Sequence, residues 1–481
     1  MREHTLVREL RRVVGDEAVR DHPAELMAYS YDGTFQQAVP RAVTLVRSTE
    51  QVAAILRLAS DAGLPVVPRG AATGLAGGSL PPHGAIVLNL ARMRTVKRID
   101  PDDGVADVEA GVVTGTLRAA VEERGFFYPP DPASLAQCTI GGNIASNAGG
   151  PRCLKYGVTR DYVRGLTVVL ADGTILETGG RVLKSSTGYA LPQLFVGSEG
   201  TLGVVTEATL RIIPLPRGRA TALAFFASLD DAAATVTSIL SNGLTPSTLE
   251  LLDDVTLRLV DQMIDAGYPS QTEGALLIEA DGSSEKAAAD ALAGMAEAAR
   301  GSGALLVQVA TGEAEAEELW RARRSISAAL GRVAPKKLGE DIVVPRSRVP
   351  DMVRAVRRIA GEHGLDIPLF GHAGDGNLHP NILFHPEIPD QLIRVQNAAI
   401  AIFESAIALG GALSGEHGVG TLKRQFLERN LGSGVVDAMR RVKQALDPQG
   451  ILNPGKIFPD QEDGWEQFLQ MLPTLSSFTP G

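Results

Sequence analysis

The spacing of apolar residues changes period twice in the first well-patterned stretch of the chain. Residues 41–46 are apolar and β-branched, which predicts a strand, and residues 64–67 predict a second. Between them Val52, Ile55, Leu56 and Ala59 fall at i, i+3, i+4 and i+7, the spacing that lines one face of a helix. Ser48 and Gln51 have capping-box spacing and Gly63 supplies a stop, so the helix is predicted over Thr49–Ala62. A similar stretch follows, with a strand over 105–113, a helix over 114–124 and a hairpin over 166–177 turned at Asp172-Gly173. Residues 204–213 alternate as a strand until Pro214 and Pro216 end the pattern, which marks a domain boundary. Beyond it, strands over 221–226, 275–279 and 304–309 with helices over 229–240 and 285–300 describe a second α+β layer. Further helices are predicted over 313–331, 349–363 and 421–446, the last ended by Asp447-Pro448-Gln449-Gly450. In the tail, Trp465, Phe468, Leu469 and Leu472 have helical spacing and are expected to pack on their own domain.

At 481 residues the chain exceeds one hydrophobic core, so two or three domains are expected. Hydrophobic residues at 44% and charged residues at 21% give a globular balance. A net charge of -10 without a clustered basic surface excludes nucleic acid as a general partner. The two cysteines, Cys138 and Cys153, cannot build a disulfide framework and are expected to be free thiols in a reducing compartment. The first residues lack the basic and apolar regions of a signal peptide, and no apolar run reaches spanning length. A cytoplasmic protein is therefore expected, with any membrane association running through partner subunits rather than direct insertion.

Candidate chemistry concentrates in two glycine-rich segments. Gly371-His372-Ala373-Gly374-Asp375-Gly376-Asn377-Leu378-His379 is echoed by Ser414-Gly415-Glu416-His417-Gly418-Val419-Gly420. His372, His379 and Glu416 form a mixed nitrogen and oxygen set that suits a divalent ion such as zinc or manganese with positions open to substrate. His417 is then available as a base. The surrounding glycines permit positive φ and close approach to a ligand, which an ordinary core strand does not require.

Two further glycine-dense stretches lie in the N-terminal half. Residues 65–79 follow a predicted strand with the loop Arg69-Gly70-Ala71-Ala72-Thr73-Gly74, and residues 141–150 run Gly141-Gly142-Asn143-Ile144-Ala145-Ser146-Asn147-Ala148-Gly149-Gly150. Such loops present backbone N–H groups to phosphate oxygens. Neither is a Walker loop or a Rossmann turn. Two of them on one α/β unit point to a long ligand carrying a diphosphate.

These motifs, with Cys153-Leu154-Lys155-Tyr156-Gly157, Gly197-Ser198-Glu199-Gly200-Thr201-Leu202-Gly203 and Asn453-Pro454-Gly455-Lys456, occur in the order of one family. The chain resembles the FAD-linked D-2-hydroxyacid dehydrogenases of the vanillyl-alcohol-oxidase superfamily, which include the flavin subunit of bacterial glycolate oxidase and the D-lactate and D-2-hydroxyglutarate dehydrogenases. The resemblance covers roughly residues 40–458. It implies an α+β fold with a PCMH-type FAD-binding domain of two subdomains over 1–216. An α+β substrate or cap domain over 217–420 and a helical C-terminal segment over 421–481, returning to the flavin, complete it. By this resemblance Arg69, Gly70, Ala71, Ala72, Thr73 and Gly74, with Gly77, Gly78 and Ser79, cradle the diphosphate. Gly141, Gly142, Asn143, Ser146 and Asn147 line the flavin and Asn453 lies near it. The implied cofactor set also takes in Pro68, Pro130, Asp131, Ser134, Gly149, Glu199, Gly200 and Val204. Apart from His83, no histidine lies near these loops, so FAD is expected to be noncovalent.

The resemblance further implies oxidation of a D-2-hydroxy acid such as glycolate or D-lactate to the 2-oxo acid by hydride transfer to flavin N5. The metal on His372, His379 and Glu416 would bind substrate, His417 would take the hydroxyl proton, and Arg323 would grip the carboxylate. Ser327 at i+4 from Arg323 and Asn381 join the catalytic set. Gly339 stands where the hydroxyglutarate enzymes carry a lysine, with Lys336 and Lys337 offset, which weakens the case for a five-carbon diacid. Two cysteines cannot hold an iron–sulfur cluster, so an iron–sulfur subunit, a second flavin subunit or another acceptor is expected to take the electrons, in a homo-oligomer or hetero-complex. The alternatives are a nonredox flavoenzyme of the alkylglycerone-phosphate synthase type, whose histidine run is absent here, and a flavin-binding assembly subunit of a multi-subunit oxidase.

Overall fold

A computed structural model of the chain describes residues 3–34 and 36–459. The apolar stripe from Trp465 to Leu472 lies outside the described residues. The chain divides into two compact units. Unit 1 holds the described residues up to Gly149, Val158–Leu215 and those from Glu416 onward, and unit 2 holds Gly150–Gly157 and Pro216–Gly415. The division after Gly415 puts residues 416–420, grouped by sequence with the cap, into unit 1.

Unit 1 carries two principal sheets. In the first, Val19–Arg20, Ala42–Leu45, Ile86–Asn89 and Val66–Arg69 lie in that order, the last three parallel. The helix Thr49–Ala62 crosses between parallel strands as its apolar spacing predicts. Ser48 accepts from the Gln51 amide at 3.3 Å, while the Gln51 side chain reaches the Arg47 amide at 2.8 Å rather than that of Ser48. Gly63 ends the helix at φ 62, a left-handed conformation that glycine adopts without a Cβ penalty. Val52, Ile55, Leu56 and Ala59 are fully buried against the sheet. Each larger side chain contributes about 1.5–3 kcal/mol by that burial, and Leu56→Ala would cost about 2–5 kcal/mol.

The second sheet is antiparallel, in the order Val96–Asp100, Val105–Glu109, Val204–Arg211, Val163–Val169 and Ile175–Gly179. Its last pair is the predicted hairpin, turned through Gly173 at φ 79. The C-terminal stretch rejoins the first sheet, where Leu452 bridges Val66 in parallel and the Asn453 amide donates to Val66 O at 2.8 Å. Two elements differ from the sequence expectation. Residues 421–446 do not form one helix, because Gly432 at φ 83 separates Leu427–Leu431 from Ser433–Leu446. The second glycine stretch is not all loop either: Ile140–Ser146 is a short helix capped by Thr139 and ended by Asn147 at φ 54.

Unit 2 is built on an eight-stranded antiparallel sheet. Its order is Ala304–Val309, Gly218–Phe226, Gly274–Gly282, Thr248–Asp253, Leu369–His372, Asn377–Phe384 and Lys336–Gly339, with Ile342–Val343 also paired to Asn377–Phe384. Leu223, Phe225, Leu252, Leu277 and Phe370 from the sheet bury against Leu319, Ile326 and Leu330 of the helix Glu313–Val333. No helix among the described residues is long and apolar enough to cross a membrane.

Candidate functional site

In unit 1 the strand Val66–Arg69 runs into the first glycine segment, which walls a cavity of about 1130 Å³, its open mouth included. Pro68, Gly70, Ala71, Ala72, Thr73, Gly74, Gly78 and Ser79 line one side, and Ser134, Gly142, Asn143, Ser146, Glu199 and Gly200 line others. Arg69, Gly141 and Val204 line a smaller adjoining cavity. Cys138, Thr139 and Ala145 also face the main cavity, and the sequence did not single them out. Neither Cys138 nor Cys153 is in a disulfide.

The glycines are required by close approach. A Cβ on Gly70 would fall 2.3 Å from Thr139 Oγ1, and one on Gly141 would fall 2.7 Å from Ala110 Cβ. At these two positions backbone packs where a side chain could not, and the glycine-lined wall leaves amides able to face a phosphate-bearing cofactor. Gly77, Pro130, Asp131, Asn147, Gly149 and Asn453 are not on the cavity wall. Asn147 instead caps the short helix, and its Oδ1 accepts from the Arg160 amide at 2.9 Å. The Arg69 guanidinium donates to Tyr31 O at 2.7 Å, so a phosphate contact from this residue would come through its backbone.

Glu416 and His417 line the same main cavity. Their loop is held from beneath by Glu199, whose carboxylate accepts from the amides of Val419 at 2.7 Å and Gly420 at 2.8 Å. Burial raises the Glu199 pKa against the lowering effect of those amides, Lys456 and Lys423. Gly418, at φ 88, is needed because a Cβ there would lie 2.9 Å from Glu199 Oε1. Asn453 ties the two walls together, donating from Nδ2 to Gly78 O at 2.8 Å and to Glu199 O at 2.6 Å.

In unit 2 the other histidines sit on one hairpin. Phe370 lies opposite His379 and His372 opposite Asn377, so Phe370, His372 and His379 share a face. The two imidazoles stand nearly perpendicular, with centroids 5.1 Å apart, and both are buried. The turn between them demands glycine at 376, where φ is 86 and a Cβ would fall 2.0 Å from Val344 O.

Each imidazole has a buried carboxylate on its Nδ1 side. Glu250, opposite His372 on the neighbouring strand, bonds His372 Nδ1 through Oε1 and accepts from Arg323 Nε at 2.6 Å through Oε2. Burial pushes the Glu250 carboxyl up, but the facing His372 and Arg323 outweigh it and hold its pKa at about 2. Asp341 Oδ1 lies 3.8 Å from His379 Nδ1 and accepts from Asn377 Nδ2 at 2.7 Å, while its Oδ2 accepts from Ser414 Oγ at 2.6 Å. The Glu250 carboxylate on Nδ1 of His372 favours the tautomer that carries the metal-binding lone pair on Nε2. The donor chemistry therefore fits a borderline divalent ion.

Arg323 is set apart from its neighbours. Its side chain is 16% exposed and lies 4.8 Å over the Phe370 ring, whereas Arg321 and Arg324 pair with Glu318 and Glu317 on the solvent face. Ser327 is exposed and accepts from Lys337 Nζ at 3.4 Å. Asn381 is buried opposite Gly339 and donates to His379 O at 2.9 Å.

Comparison with known proteins identifies the family. Residues 40–179 match the family described as "FAD binding domain", and residues 215–457 match "FAD linked oxidases, C-terminal domain". A "Glycolate oxidase subunit GlcD" of Bacillus subtilis (strain 168) is 46% identical over 94% of this chain and 96% of its own. A "D-lactate dehydrogenase" of Anaerostipes hadrus is 35% identical over 93% and 94%. A "D-2-hydroxyglutarate dehydrogenase" of Stutzerimonas stutzeri (strain A1501) is 35% identical over 95% and 100%. Among solved structures, p-cresol methylhydroxylase with substrate bound is similar with a TM-score of 0.79 at 18% identity, covering 96% of this chain and 98% of that one. The 4-ethylphenol oxidase from Gulosibacter chungangensis has a TM-score of 0.75 at 22% identity over 95% and 98%, and at such identities the likeness speaks for the fold alone. A PCMH-type flavin-binding fold joined to a C-terminal oxidase domain, with curated relatives matched end to end, makes the chain an oxidoreductase of the FAD-linked D-2-hydroxyacid dehydrogenase family.

Proposed function

We propose that the protein oxidises a small D-2-hydroxy acid of the glycolate or D-lactate class to its 2-oxo acid. The observation that carries this reading is that His417 lines the same cavity as both glycine segments, which puts an imidazole base beside the cofactor cradle. The loop amides of residues 70–79 and 141–147 hold the diphosphate and flavin without a covalent link. When bound there, FAD supplies the hydride acceptor at N5, and the organic chemistry is its own.

His417 takes the proton of the substrate hydroxyl as hydride leaves the α-carbon, so one C–H and one O–H bond break and one C=O bond forms. Arg323 binds the substrate carboxylate with the Nη edge of its guanidinium, the Nε edge being engaged by Glu250. Asn381 and Ser327 complete the proposed catalytic set. His372, His379 and Glu416 would hold a zinc or manganese ion. Such an ion would supply Lewis acidity toward the substrate oxygens. We assign the electrons to a partner such as an iron–sulfur or second flavin subunit, since two cysteines cannot ligate a cluster. So few cysteines, in no disulfide, also favour a reducing, cytoplasmic setting.

Anaerobic titration of the flavin absorbance with glycolate, D-lactate, L-lactate and D-2-hydroxyglutarate tests the reading. Bleaching by glycolate or D-lactate is expected, and a spectrum unmoved by all four would overturn it. His417→Ala should retain FAD and lose reduction. Near-normal bleaching of that variant would remove His417 from the reaction.

A further inference from the structure

We infer that Glu250 is the positioning residue of the unit 2 cluster, one carboxylate that aims both the His372 imidazole and the Arg323 guanidinium. The inference rests on the functional reading above and adds a residue that reading does not contain. Glu250 is 0% exposed, in a strand whose neighbours Leu249, Leu251 and Leu252 are equally buried. Taking a carboxylate out of water costs several kcal/mol, which only good partners on both oxygens offset. Both oxygens have them: Oε1 meets His372 Nδ1, and Oε2 accepts from Arg323 Nε at 2.6 Å. These partners lie 122 and 73 residues away along the chain. Neither belongs to the strand of Glu250.

The geometry does two things at once. Engaging Nδ1 of His372 leaves the basic lone pair on Nε2 and raises its strength as a donor to a cation. Engaging Nε of Arg323, with the guanidinium laid over Phe370 at 4.8 Å, fixes the plane in which the Nη edge points. A carboxylate that merely joined the helix Glu313–Val333 to the sheet would need Arg323 alone. Because a single group sets both orientations, losing its charge should loosen metal retention and substrate binding together.

The test compares Glu250→Gln, Glu250→Asp and Arg323→Met with the wild-type holoenzyme. Metal affinity is read by equilibrium dialysis against zinc and manganese with elemental analysis, and flavin reduction is resolved into KM and kcat. FAD content and melting temperature serve as folding controls. We expect Glu250→Gln to keep FAD, to bind metal about 10–100-fold more weakly, and to raise KM for the 2-hydroxy acid more than it lowers kcat. Glu250→Asp, which keeps the charge, should recover part of the metal affinity. Arg323→Met should raise KM with metal affinity close to wild type. Glu250→Gln that binds metal as tightly as wild type, or Arg323→Met that loses metal equally, would overturn the inference. A wild-type protein that binds neither ion would instead sink the metal part of the functional reading, so the two failures are distinguishable. Should Glu250→Gln not fold, the Glu250→Asp and Arg323→Met pair still decides, since equal metal loss in both would mean a general collapse of the cluster.

Discussion

Replacing Glu199 with alanine should separate the stability of unit 1 from the chemistry of its cavity. The native carboxylate accepts two amides, at 2.7 and 2.8 Å, from Val419 and Gly420. A hydrogen bond to a charged group contributes about 1.5–3 kcal/mol, so the pair contributes roughly 3–6 kcal/mol before offsets. Two effects reduce this. Burial disfavours the ionised form of Glu199, and water entering the vacated space can pair with one amide. A net loss of about 3 kcal/mol remains, which for a unit of this size lowers the melting temperature by about 6–12 °C. Glu199→Gln keeps one acceptor oxygen and should lose about half as much. Because the same carboxylate fixes the loop of Glu416 and His417, flavin reduction should fall further than FAD content. Thermal unfolding followed by circular dichroism at saturating FAD, alongside stopped-flow reduction, measures both. A melting temperature within 1–2 °C of wild type would refute the reasoning, since the two amides would then have found equivalent acceptors.

The remaining predictions concern pH and backbone. Lys456 is 4% exposed, and burial lowers its pKa to about 8, Glu199 opposing and Arg424 reinforcing that shift. Its folded pKa lies below the unfolded value of about 10.4, so in that window the unfolded chain binds more protons and stability rises with pH. The gain is about 3 kcal/mol between those limits, and Lys456→Met should lose that slope in denaturant titrations run at each pH. Parallel slopes for the two proteins would count against it. Gly376→Ala forces an L side chain to φ 86 with Cβ 2.0 Å from Val344 O. Left-handed strain alone costs about 1–2 kcal/mol, so the unfolding midpoint of unit 2 should fall by more than that amount, with weaker metal retention. An unchanged midpoint would show that the histidine turn does not need glycine.

Elements with local signals were legible in the chain. For Thr49–Ala62 the cap, the period and the stop all lie within the helix or beside it, so no tertiary information was needed. The strand Thr248–Asp253 gave no such signal because all six of its residues are buried, and a strand covered on both faces loses the alternation that marks one. Residues 421–446 were misread for the opposite reason. Helical spacing continues on both sides of Gly432, and the break depends on one residue entering the left-handed region at φ 83. The helix Ile140–Ser146 was hidden by Gly141 and Gly142, which lower helix propensity, yet Gly141 is required by the approach to Ala110, and the Gly142 amide takes the cap on Thr139.

The same contrast divides the functional site. Groups that touch a ligand leave a trace in composition, since backbone can approach closely only through glycine, and the cavity wall accordingly reads out in Gly70, Gly74, Gly78 and Gly142. Groups that orient those residues leave none of that kind. Glu250 lies in Thr248-Leu249-Glu250-Leu251-Leu252-Asp253, and nothing within helical or strand reach identifies its partners. A signal does exist, of another sort. An inward carboxylate in an apolar strand is too costly to keep without cations or donors to meet it, so its presence predicts a partner even where the partner cannot be named. Glu279 in Gly274–Gly282 obeys the same rule: it is 1% exposed and is met by Arg152 at 3.2 Å and Trp320 Nε1 at 2.9 Å. What separates the two is the partner's chemistry. Glu279 meets an arginine and an indole, which suffices for holding structure together, whereas Glu250 meets an imidazole whose other nitrogen is of a kind that can ligate a metal and a guanidinium whose other edge suits a carboxylate.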